Sequence, residues 1–151
     1  YLISVKTQNS RAWSVVDLPL SDTEIRVKTE KISGPEDTNF GLICRFRNED
    51  NFYSFLISSD GYYGIMKVEN GDETLLGSDQ FTYSEQINLG SALNQIEVIC
   101  SGNELSLSVN GQMLQTVKDT SFPTGKVGMI VETRAEGDAA IVFSDFVIIK
   151  R

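Results

Sequence analysis

The chain has 151 residues, 40% of them hydrophobic, a formal charge of −8 and no histidine. This length suits one domain that buries a core without extra staples, and the acidity repels phosphate backbones and anionic membranes, which argues against nucleic-acid and membrane-surface partners. The missing imidazole excludes Ser-His-Asp and Cys-His nucleophile systems and every His-ligated metal site.

Residues 1–5 are already strand-like, so the chain starts in mid-pattern, and we expect it to be excised from a larger protein. Residues 23–29 alternate, with Ile25 and Val27 on one face, and Gly34-Pro35 stops that strand. Residues 39–67 read as three short antiparallel strands broken at 48–51 and at Ser59-Asp60-Gly61. Asn70-Gly71-Asp72 then turns residues 65–69 back onto 73–76. Residues 78–89 are polar, with Phe81, Tyr83, Ile87 and Leu89 as apolar anchors. Residues 94–100 and Glu104–Val109 are strands about a turn at 101–103. Asn110-Gly111 is a second strong hairpin signal, and Gln112–Lys118 returns from it. Residues 126–132 and Ala139–Lys150 close the chain around a turn at 136–138. No segment carries a sustained helical period, and no apolar run nears the roughly 18 residues of a membrane span. Ten or more strands with tight turns imply an all-β sandwich or barrel, one domain over residues 1–151.

Cys44 shares a strand face with Leu42 and Phe46, and Cys100 shares one with Ile96 and Val98. If both faces point inward, the thiols can meet as a disulfide. Otherwise they are two buried, unpaired thiols acting as small hydrophobes.

Several stretches in order resemble a bacterial family of concanavalin A-like β-sandwiches, of the lectin/glucanase superfamily. They are residues 41–45, 51–55, 57–63, 94–98, 109–111, 125–128 and 142–146. The chain is similar to accessory sandwich domains of surface proteins, and more distantly to laminin G-like and keto-disaccharide-hydrolase-like domains. Such domains usually open with one more strand, which is not present ahead of Tyr1. The resemblance implies a two-sheet antiparallel jelly roll, extracellular or cell-surface exposure, and a non-catalytic module. The glucanases of the superfamily carry Glu-x-Asp-x-x-Glu on one strand to hold acid and nucleophile close together, and no strand here has it. We therefore expect no enzyme activity.

Carbohydrate sites combine an exposed aromatic surface with planar polar side chains. Trp13, Tyr53, Tyr62 and Tyr63 are the aromatic candidates, and Arg45, Arg47, Asn51 and Lys67 the polar ones. Strict alternation puts Arg45 and Arg47 opposite Cys44, on the outer side of a sheet. Of Tyr62 and Tyr63, adjacent in one strand, one points in and one out. The expected ligand residues are Arg45, Tyr53, Tyr62 and Lys67, with a glycan as ligand. The alternative is a structural or protein-docking sandwich with no small ligand. The Asp- and Asn-rich turns could supply oxygen to a structural calcium, but such residues belong in hairpin turns without metal, and no cofactor is assigned.

Overall fold

The computed structural model describes residues 1–151. The strands are β1 (Leu2–Val5), β2 (Arg11–Leu20), β3 (Thr23–Ser33), β4 (Asn39–Asn48), β5 (Asn51–Ser58), β6 (Tyr62–Glu69), β7 (Asp72–Leu76), β8 (Thr82–Tyr83), β9 (Asn94–Ser101), β10 (Glu104–Val109), β11 (Gln112–Lys118), β12 (Gly125–Glu132) and β13 (Ala139–Lys150). There is no helix. One sheet runs β1-β13-β3-β9-β10-β11, and the other runs β2-β12-β4-β5-β6-β7, with β8 pairing on β6. Every pairing is antiparallel. The protein is an all-β, two-sheet sandwich.

The tight turns explain the hairpins. Asn70-Gly71 and Asn110-Gly111 have positive φ at both positions, 52° and 82° in the first, 52° and 83° in the second. Paired positive φ gives a turn whose twist matches that of the strands it joins.

The two sheets meet over one apolar core. Ile25 and Val27 of β3, Ile96 and Val98 of β9 and Leu105 and Leu107 of β10 face Phe40 and Leu42 of β4, Phe55 and Ile57 of β5 and Met129 and Val131 of β12. Cys44 and Cys100 belong to this core and are joined as a disulfide, so one covalent link ties β4 in the second sheet to β9 in the first.

The second sheet also carries a smaller apolar cluster on its outer face. Ile43, Phe46, Phe52, Leu56, Val68 and Ile130 are buried there, with Trp13, Val15 and Phe81 packed against them. This is why β4 and β5 read as nearly continuous apolar runs instead of alternating ones. The curl of the sheet helps to seal this face. β2 and β7 are its two edge strands, five spacings or about 24 Å apart in a flat sheet, yet Arg11 Nη1 of β2 lies 2.8 Å from Glu73 Oε1 of β7. Two side chains cannot bridge the flat distance, so the outer face is concave. Arg11 lies across the hollow, with its guanidinium carbon 5.2 Å from the centre of the Phe52 ring.

Candidate functional site

The largest cleft, about 510 Å³, opens at one end of this concave face and has no hydrophobic residue in its lining. Its side chains come from separate elements that strand register brings together. Glu132, at the end of β12, pairs with Arg11 on one side and with Asn39 on the other. Glu73 reaches in from β7, and Arg134 follows β12. The wall is completed by the loop between β1 and β2. Thr133 is buried there, donating to the Thr7 carbonyl at 2.6 Å and accepting from the Ser10 amide at 3.2 Å. The Asn9 amide donates to the Arg134 carbonyl at 2.7 Å.

The charges of the cleft are interleaved. A single Arg11 nitrogen lies 2.8 Å from Glu73 Oε1 and 3.6 Å from Glu132 Oε2. Burial pushes the Glu132 carboxyl above the ordinary glutamate range, and Arg11 only partly opposes this. The Arg134 guanidinium stands 5.9 Å over the Phe81 ring and is in no ion pair or side-chain hydrogen bond. Two guanidinium groups thus stand beside two carboxylates, placing N–H donors next to oxygen acceptors.

None of the residues expected from the sequence lines this cleft. Arg45 is not on the outer side. It is 2% exposed and has φ of 53°. The register of β4 slips there against both β5 and β12. A bulged residue breaks alternation, so Phe46, not Arg45, joins Ile43 on the outer face. The guanidinium turns toward the Ser21, Gly102 and Phe122 carbonyls and Asp22. Gly125 makes room for this bulge, because a Cβ there would fall 2.3 Å from the Arg45 carbonyl carbon.

Tyr53 is fully buried on the inner face, where its hydroxyl donates to Asp119 Oδ1 at 2.5 Å and accepts from the Phe122 amide at 3.2 Å. Lys67, its partner across β5 and β6, donates to Asp119 Oδ2 at 2.9 Å and to Ser121 at 3.1 Å. Arg45, Tyr53 and Lys67 all reach the loop between β11 and β12, which takes up the polar groups of Tyr53 and Lys67, while Arg45 also bonds the β2–β3 and β9–β10 turns. Tyr62 alone faces solvent, 42% exposed and edge-on to Tyr83 at 5.7 Å. Tyr63 turns inward, as strand alternation requires, and its hydroxyl donates to the Leu114 carbonyl at 3.3 Å.

The Asp119 cluster makes stability depend on pH. Burial opposes ionisation of Asp119, but hydrogen bonds from Tyr53, Lys67 and Ser121 outweigh it and hold the carboxyl at about 2. A depressed carboxyl stabilises the fold fully above its ordinary value of 3.8, and the contribution is lost as pH falls toward about 2. We expect the wild-type unfolding midpoint to drop through that window. Asp119→Asn should flatten this part of the profile. An unchanged profile in acid denaturation of the variant would contradict the assignment.

Arg11, Asn39, Glu73, Glu132 and Arg134 were not singled out by the sequence. The available signal was the charged Glu132-Thr133-Arg134 ending an apolar strand. Its partners lie at distant sequence positions and become neighbours only through strand order.

No protein-family model matches the sequence, and no curated protein matches it. Solved structures do match its fold. Carbohydrate-binding module CBM66 from Bacillus subtilis aligns with a TM-score of 0.77 at 14% identity, over 93% of this chain and 83% of that one. Sheep galectin-11, in complex with glycerol, aligns with a TM-score of 0.64 at 14% identity, over 91% and 96%. A GH43 protein from Bacillus licheniformis aligns with a TM-score of 0.65 at 14% identity, over 87% of this chain but 28% of its own length. At this identity the likeness defines a fold class, the lectin-like jelly-roll sandwich.

Proposed function

We propose that the chain is a non-catalytic carbohydrate-binding module of a secreted or surface protein, with its ligand in the cleft formed by Arg11, Asn39, Glu73, Glu132 and Arg134. The observation that carries this reading is the interleaving of guanidinium donors and carboxylate acceptors around an open, entirely polar cleft on the concave face. A sugar hydroxyl donates one hydrogen bond and accepts others, so vicinal hydroxyls fit such a pair. The structural likeness to a carbohydrate-binding module and to a galectin with bound glycerol supports it.

The test is a glycan array followed by calorimetry on the class that binds. Glu132→Gln keeps the shape and removes the charged acceptor. A hydrogen bond to a charged group contributes about 1.5–3 kcal/mol, so affinity should fall roughly 10- to 100-fold. Wild-type affinity should also fall on acidification, because protonated Glu132 loses acceptor strength. That loss should begin at higher pH than for a surface glutamate, since its pKa is raised. Unaltered affinity in Glu132→Gln would remove the cleft from consideration.

A second reading has one specific observation in its favour. Glu73 and Glu132 flank the same Arg11 nitrogen in an open cleft, so two carboxylates stand close together after all, as glycoside hydrolysis requires. Incubation with the bound glycan separates the readings. New reducing ends that vanish in Glu132→Gln would make the chain a hydrolase, and unchanged chain length leaves a binding module.

A further inference from the structure

A second cavity of about 200 Å³ adjoins the charged cleft, lined in part by Asp37, Ser58, Asp60 and Tyr62. The two cavities share Asn39 and Arg134. Asn39 is 5% exposed and sits between Glu132 and Ser58 in the cross-strand row. Its side-chain amide has no hydrogen-bond partner in the protein, although other buried asparagines such as Asn94 are fully engaged. The exposed Arg134 guanidinium is likewise free of ion pairs and hydrogen bonds, and it stands over the Phe81 ring. The amide of a largely buried asparagine, open to the cavities, and an exposed guanidinium stand at the junction. A side chain as buried as Asn39 normally has protein partners, and a ligand lying across the junction would supply one to Asn39 and reach Arg134 as well.

The chemistry of the two cavities differs. The charged cleft has no apolar lining, whereas the second is bordered by the exposed ring of Tyr62 and by Phe81. One contacts hydroxyls from several sides, while the other offers an aromatic surface for the less polar face of a ring. Charge narrows the ligand further. Two guanidinium groups, Arg11 and Arg134, face four carboxylates, Glu73, Glu132, Asp37 and Asp60, on a chain of formal charge −8. An anionic sugar would meet net repulsion, and a neutral one would not.

We infer that the ligand is a neutral glycan of at least two linked sugar units, one in the charged cleft and the next against Tyr62, with Asn39 and Arg134 hydrogen-bonded to both sides of the bond that joins them. This rests on the reading of the charged cleft as a sugar site and adds to it the size and charge of the ligand.

The experiment is calorimetry with neutral xylo-, gluco-, manno- and fructo-oligosaccharides of one to four units, and with oligogalacturonates as the anionic counterpart. In the series that binds, two units should bind about tenfold or more tighter than one, with little gain beyond the second or third. Tyr62→Ala, at an exposed position, should bring the ratio of two-unit to one-unit affinity toward one. Binding with equal affinity for one and two units would overturn the second subsite and leave the charged cleft standing as a sugar site. Oligogalacturonates binding more tightly than every neutral series would overturn neutrality. Absence of binding to every probe would remove the charged-cleft reading and this inference with it.

Discussion

Arg45→Ala should lower the stability of the fold by about 3–5 kcal/mol, since it removes several hydrogen bonds from a buried charged group, each contributing about 1.5–3 kcal/mol before the chain relaxes. The guanidinium makes five hydrogen bonds. They end on Ser21 and Asp22 between β2 and β3, on Gly102 between β9 and β10, and on Phe122 between β11 and β12. Three turns from both sheets are thus held by one planar group. Truncation leaves three carbonyl oxygens short of a donor, leaves Asp22 without its counter-ion, and opens a void behind Phe122. The thermal midpoint should fall by about 10 °C for a chain of this size. Arg45→Lys should recover little, because an ammonium cannot reproduce the planar fork. Glycan affinity, measured where the variant is folded, should stay near wild type, since Arg45 lies outside the cleft. Loss of affinity with stability intact would return Arg45 to the binding site.

Removing the Cys44–Cys100 link should have an effect of similar size. The bridged residues are 56 positions apart. Chain-entropy arguments put the stabilisation from closing such a loop at about 4 kcal/mol. Both positions are fully buried in the inter-sheet core. The Cys44→Ala, Cys100→Ala double variant therefore loses the constraint on the unfolded chain and some packing volume as well. Chemical denaturation should show the midpoint shifted strongly downward, and reduction of the wild type should move it in the same direction. Equal midpoints before and after reduction, with thiols shown to be free, would contradict this.

Much of the fold was legible because its determinants are local. Asn-Gly turns set two hairpins, and Glu104–Val109, Gln112–Lys118 and Ala139–Lys150 fall where alternation and turn residues put them. β2 was harder to read. Its buried pattern is weak, since one side packs on the smaller outer cluster and Pro19 and Asp17 interrupt its end. The candidate site was hardly legible, for two separate reasons. Arg45 was placed on the wrong side because alternation assumes an unbroken register, and one residue at positive φ reverses the faces downstream. The cleft residues were missed because positions 11, 39, 73 and 132 become neighbours through strand order and through the bending of a whole sheet. Neither property resides in any window of the sequence. Tyr62, whose outward direction needs only period-two alternation within an unbroken strand, was recoverable, whereas Tyr53 and Lys67, expected in the same site, bond Asp119 instead.

The Arg11–Glu73 contact joins the first and last strands of the curled sheet. Its consequence is thermodynamic. The two margins, distant in sequence and in hydrogen-bond order, are bridged directly beside the cleft. With a ligand in the proposed site, fraying at either margin would release it, and the ligand would in turn hold both margins in place. On that proposal, recognition and the curvature of the scaffold would be the same equilibrium observed from two ends.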